Sequence, residues 1–197
     1  MKHLITVLVL MCLFSTSLLA GPSIGFLGGI NLANFTGDDV ENIEMKVCFG
    51  GGAFAEYPFS PVMAIRAELL YMMKGCELEM YDDAGVRLAY FDIPVLLKFS
   101  LPVNTVISPN LFIGPYAGFN LSAESYMGDV ETDIKDRVKS SDFGLVIGGG
   151  LDYPMGQGKL TFDIRYSLGL STIDDSADDE DVKNTGIMFM LGYGFGM

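Results

Sequence analysis

The sequence predicts an all-β protein, an eight-stranded antiparallel up-and-down transmembrane β-barrel. Three observations carry that expectation. The first is the stretch from Arg87 to Ser100, RLAYFDIPVLLKFS, whose odd positions Ala89, Phe91, Ile93, Val95, Leu97 and Phe99 are all apolar. Its even positions include Tyr90, Asp92, Pro94, Lys98 and Ser100. Side chains alternate faces along a strand, so one face is wholly apolar and the other carries an acid and a base. A helix would scatter these residues around its circumference, and Pro94 would break it. The second observation is length: a tilted strand crosses a bilayer in roughly 9–11 residues, about what this run supplies. The third is composition. Half of the residues are hydrophobic, yet beyond the N-terminus no apolar run is long enough for a transmembrane helix. Apolar residues spread over alternating strands reconcile the two.

Taken in order, the chain begins with Lys2 followed by LITVLVLMCLFSTSLLA, which reads as a secretory signal peptide over residues 1–20, cleaved after Ala20. The barrel domain then runs over residues 21–197. Cleavage removes Lys2 and takes the formal charge from −13 to −14, and it removes His3, the one histidine. A chain this acidic repels phosphate, so nucleic acid is not an expected partner.

The same alternation recurs in eight segments: Ser23–Asn34, Lys46–Tyr57, Ala64–Gly75, Arg87–Phe99, Asn110–Leu121, Asp142–Tyr153, Lys159–Leu170 and Thr185–Phe195. The connections alternate between short and long. Short ones are Pro58–Met63, Ser100–Pro109 and Pro154–Gly158; long ones are Phe35–Met45, Cys76–Val86, Ser122–Ser141 and Ser171–Asn184. Outer-membrane barrels pair tight periplasmic turns with longer external loops in this way.

Charge sorts with the same pattern. Of the 25 acidic residues, 19 lie in the four long loops. The other six, Glu56, Glu68, Asp92, Asp142, Asp152 and Asp163, fall on the strand face assigned to the lumen, together with Arg66, Lys74, Lys98 and Arg165. Charge facing hydrocarbon would be costly, so these ten residues are expected to form a lumen charge network. Tyr57, Phe99, Tyr153 and Phe195 close alternate segments on the lipid face, and aromatic rings favour the membrane interface. They are expected to form a periplasmic aromatic girdle. The inverse arrangement, a soluble barrel with its apolar face inward, would put a row of glycines from Gly50 to Gly196 on its surface and is set aside.

Several stretches then accumulate in order: GGINLANFTGD, FAEYPFS, AELLYMMKG, YFDIPVLLKFSLP, IGPYAGFNLSA, SSDFGLVIGGGLDY, DIRYSLGL and the closing KNTG with LGYGF. Together they resemble the PorT-type outer membrane β-barrel family of Bacteroidota-like bacteria, over essentially all of the chain after residue 20. The resemblance implies a small barrel in the cell outer membrane of a Gram-negative envelope. One namesake of that family is associated with protein secretion across the outer membrane, whereas most members carry no assigned activity.

No catalytic constellation is found. Small-barrel enzymes commonly use histidine as general base, and the chain after residue 20 has none. No cofactor is expected. The run Asp174, Asp175, Asp178, Asp179, Glu180 and Asp181 has oxygen ligands but lacks the glycine and spacing of an EF-hand, so it is a weak metal candidate and reads first as a solvated charge run. Cys48 and Cys76 form a candidate disulfide. If paired residues of their two strands sum to 124 the cysteines are opposite, but Glu56 then faces Glu68. If they sum to 122, Glu56 meets Arg66 and the cysteines are diagonal, roughly 7–8 Å apart and too far for easy bridging. Electrostatics favours the second register. The expected function is an envelope structural or interaction protein, a monomer with a side-chain-filled lumen. Its expected partners are outer-membrane lipids and lipopolysaccharide, with envelope or secretion proteins as protein partners. The alternative is a narrow pore or transporter for small solutes.

Overall fold

The computed structural model describes residues 21–37, 40, 42–80, 83–103, 105–175 and 181–196. The leader segment 1–20 lies outside the described residues, as do Asp178, Asp179 and Glu180.

Eight of the described strands close into one barrel. In chain order they are β1 (Ser23–Thr36), β2 (Ile43–Ser60), β3 (Met63–Leu78), β4 (Ala84–Ser100), β5 (Ser108–Met127), β7 (Ser141–Met155), β8 (Gly158–Gly169) and β9 (Lys183–Gly196). A short β6 (Val130–Asp133) folds back on the end of β5 inside a loop. Every barrel strand pairs antiparallel with its neighbour in the chain, and β9 returns to β1, with Ser23 opposite Gly196 and Thr36 opposite Lys183. Among the described residues, the eight barrel strands leave no open edge, which is what a membrane barrel requires.

The alternation read from the sequence sets the two faces. Phe26 is 67% exposed and Phe49 61%, while Arg66 and Arg165 are each 1% exposed. Apolar rings outside and charges inside suit a hydrocarbon surround and no aqueous one. Tyr57, Phe99, Tyr153 and Phe195 all stand on the outer surface, at the end where β2 turns into β3 and β7 into β8. Those two turns are tight, and Gly156 supplies the positive φ of 64° that the second needs.

Three details differ from the sequence reading. Much of what reads as long loop is continued ladder. Cys76 still pairs with Val86 and Glu77 with Gly85, and β5 runs 20 residues to Met127. Above the membrane both faces of a strand are wet, so alternation fades while backbone groups still need partners. The second difference is Ala89, expected to face lipid but only 5% exposed; the pairing of β4 with β5 shifts by one residue there. The third concerns the cysteines. Glu56 pairs with Arg66 and Gly50 with Met72, the register of sum 122. The pairing then slips between Met45 and Gly50, so Cys76 lies opposite Met45, away from Cys48. Both thiols are buried and free, and the candidate disulfide is not formed.

Large inward side chains fill the interior over inward glycines. At Gly148 an added Cβ would come within 2.6 Å of the Phe112 ring, and at Gly25 within 2.7 Å of the Phe54 ring. Gly148→Val is therefore expected to displace Phe112 and to lower the unfolding midpoint in detergent. Overpacking of this kind typically costs about 1–3 kcal/mol. An unchanged midpoint would mean that the lumen has slack beside Phe112.

Candidate functional site

Among the described residues, the lumen is where the strands bring most of the buried charge together. Near the short-turn end, Glu56 of β2, Arg66 and Glu68 of β3, Lys98 of β4, Asp152 of β7, and Lys159, Asp163 and Arg165 of β8 form a continuous ion-pair network. Arg66 Nε donates to Glu56 at 2.9 Å and its Nη1 to Asp163 at 2.8 Å. Arg165 holds Glu68 in a two-pronged pair, at 2.6 and 2.9 Å, and reaches Asp163 at 2.7 Å. Lys98 donates to Asp152 at 2.6 Å and to Glu56 at 3.3 Å, and Lys159 touches the same two carboxylates. Planar guanidinium forks suit such pairing, since each gives several donors in fixed directions.

A second group sits farther along the barrel. Lys74 lies 3.0 Å from Asp92 and 3.1 Å from Asp142. Asp142 also accepts from Tyr116 Oη at 3.1 Å and from Asn184 Nδ2 at 2.9 Å. The ammonium of Lys74 stands over the rings of Tyr90 and Tyr116, 4.5 and 4.7 Å from their centroids, a further attraction for a desolvated cation. Two buried apolar clusters share the same lumen, one of Leu27, Phe54, Leu70, Met72, Met188 and Met190, the other of Leu96, Phe112, Tyr116 and Val146.

All ten charged residues expected in the lumen are thus buried there, in two groups. Lys159 was missed, although it shares the parity of Asp163 and Arg165 along β8 and that spacing alone would have placed it. Of the acidic loop run, Asp181 pairs with Lys183 at 2.6 Å and the backbone N–H of Asp175 donates to the Arg137 carbonyl. Among the described residues no group of three His, Cys, Asp or Glu is arranged to hold a metal ion.

The two ends of the lumen differ. At the short-turn end a cavity of about 530 Å3 opens, lined by Ser23, Glu56, Asp152, Gln157 and Lys159 among others. At the other end the loops fold over the mouth. Ile173, 3% exposed, packs with Leu88, Tyr90 and Ala123, and Phe35, Val86, Ile134, Val138 and Val182 pack around them. Backbone bonds tie this cap together: Lys139 N–H to the Ile173 carbonyl at 2.8 Å and Ile173 N–H to the Val182 carbonyl at 2.7 Å. The cap was not legible in the sequence, because its apolar residues are scattered singly among acids.

Residues 20–175 match the family model described as the outer membrane protein beta-barrel domain. The chain belongs to this family. Its seat is the outer membrane, and the lipid-facing rings and buried charges are those of an outer-membrane barrel. Among solved structures, the chain resembles Neisserial surface protein A at 12% identity, covering 87% of this chain and 97% of that one, with a TM-score of 0.53. It also resembles Ail, the attachment invasion locus protein of Yersinia pestis, at 18% identity, over 90% of this chain and 100% of that one, with a TM-score of 0.49. OprG of Pseudomonas aeruginosa is 13% identical over 90% of this chain and 96% of that one, with a TM-score of 0.48. At these identities the likeness is one of fold. No curated protein matches the sequence.

Proposed function

We propose that this outer-membrane barrel is a non-conducting structural or interaction protein of the envelope, which presents its long loops outside the cell. The observation that carries the reading is the filled lumen: a salt-bridged network and two apolar clusters interleave inside a barrel of eight strands, with a loop cap at one end. Eight strands leave room for side chains and little else, whereas aqueous channels belong to barrels of about 16–18 strands. Purified protein in planar bilayers is expected to show no steady channel events above background. Reproducible, salt-dependent conductance that survives stringent purification would overturn this reading in favour of a narrow pore for small solutes.

The orientation belongs to the same proposal. The long loops lie opposite the aromatic girdle and carry most of the acids, as external loops facing lipopolysaccharide and its bound cations would. On intact cells, a cysteine-directed label is expected to reach a cysteine placed at Asp178 and to miss one placed at Gln157. Labelling at Gln157 alone would invert the topology. Within the family, the ordered motifs from GGINLANFTGD to LGYGF favour the PorT-type branch; a role in secretion is not part of the proposal.

A further inference from the structure

Beside Lys74 the lumen narrows to a niche of about 10 Å3, lined by Asn31, Lys74, Asp92, Ser167, Asn184 and Gly186 among others. That is room for a single water or a single small ion. Two residues lining it, Asn31 and Asn184, each have a buried amide oxygen that accepts no hydrogen bond. Both residues are buried, 4% and 2% exposed. Their amide orientations are set at the other end. Asn31 Nδ2 donates to the Met73 carbonyl at 3.0 Å and Asn184 Nδ2 to Asp142 at 2.9 Å. Turning either amide over would set oxygen against oxygen. Gly186 keeps the niche open, since a Cβ there would stand 2.5 Å from Asn31 Oδ1.

Charge separates the two occupants. In the network near the short turns, Arg66, Lys98, Lys159 and Arg165 face Glu56, Glu68, Asp152 and Asp163, and the signs balance. Here a single ammonium, Lys74, faces two carboxylates, Asp92 and Asp142. A water would satisfy the two amides but leave the surplus negative charge of Asp92 and Asp142 to be neutralised by a proton on a carboxyl or by a bound cation. We propose that the niche is a site for one small monovalent cation of sodium's kind, held by Asn31 Oδ1, Asn184 Oδ1 and the Asp92 carboxylate. All three donors are oxygens, as a hard cation prefers. One surplus negative charge calls for one positive charge, and Lys74 in the same niche disfavours a divalent ion.

The test is the sodium dependence of unfolding for the detergent-solubilised barrel, at constant ionic strength, with N-methyl-D-glucamine as the replacing cation. Sodium should raise the unfolding midpoint. Above the dissociation constant, each tenfold increase in sodium should raise the folded-to-unfolded ratio about tenfold. In Asp92→Asn, which removes the surplus charge, that dependence should vanish. Broadening of the 23Na resonance by the native protein, relieved by competing lithium, gives a second readout that does not require the variant to fold. Equal midpoints in the two cations, with no broadening, would show that a water fills the niche and would overturn the proposal. Sodium dependence that persists in a folded Asp92→Asn variant would also overturn it, by placing the ion elsewhere.

Discussion

Arg66→Ala is expected to lower the unfolding midpoint of the barrel in detergent more than any single change at its surface. The guanidinium is 1% exposed and pairs with Glu56 and Asp163 at 2.9 and 2.8 Å, with Glu68 at 3.8 Å. Removing it leaves Glu56, Glu68, Asp152 and Asp163 to share Lys98, Lys159 and Arg165 in a confined interior, and breaking one side of a buried pair costs about 3–5 kcal/mol. Lys183→Ala is the matched control. Its partner Asp181 is half exposed, and exposed pairs contribute about 0–1 kcal/mol. Chemical denaturation of both variants against the parent measures the difference. Equal effects would mean that water reaches the lumen freely and that its charges are individually solvated.

Ile173→Asp is expected to release the loop cap while leaving the barrel closed. Ile173 is buried among Leu88, Tyr90 and Ala123, and a carboxylate there would lose its hydration among apolar side chains. The cap is tied by a few backbone bonds, whereas every barrel strand is laddered on both sides. Limited proteolysis should therefore cut within the cap segments, residues 134–140 and 170–175, at least tenfold faster, as about 1.4 kcal/mol of lost docking free energy already gives a tenfold change. The midpoint of the barrel itself should barely move. Conductance should also stay absent, because the ion pairs beneath the cap remain in place. A barrel that unfolds with its cap would show that the two are a single cooperative unit.

The contrast between these two sites is also the contrast between what was legible and what was not. Period-two alternation carries the whole barrel, since a residue's parity decides between lipid and lumen, and Asp92 beside Phe91 leaves no ambiguity. Parity plus opposite charge also predicted the Glu56–Arg66 pairing and with it the register of β2 on β3. What parity cannot encode is contact across the barrel. Arg66 finds Asp163, and Arg165 finds Glu68, each 97 residues away. Those pairings follow from strand tilt and stagger, which no single strand carries. The cap failed for a different reason: Ile134, Val138, Ile173 and Val182 obey no period, because loops have none. The slip between Met45 and Gly50 is silent in the sequence too, because the in–out alternation of Lys46, Val47, Cys48 and Phe49 runs through it unbroken.

The long reach of those ion pairs bears on how the barrel comes to be made. Lys159 reaches back 103 residues to Glu56, and Lys74 waits 68 residues for Asp142. The first four strands alone would turn Glu56, Arg66, Glu68, Lys74, Asp92 and Lys98 toward a lumen that has no far wall. A half-inserted sheet therefore makes only its local pairs, Glu56 with Arg66 and Lys98 and Asp92 with Lys74, and must keep the rest of its charge wet. Contacts this distant in sequence arrive late in folding, after the loop-closure entropy has already been met. Insertion and wall-to-wall pairing should then occur together, with the arrival of β7 and β8 as the step that commits the nascent chain to the membrane.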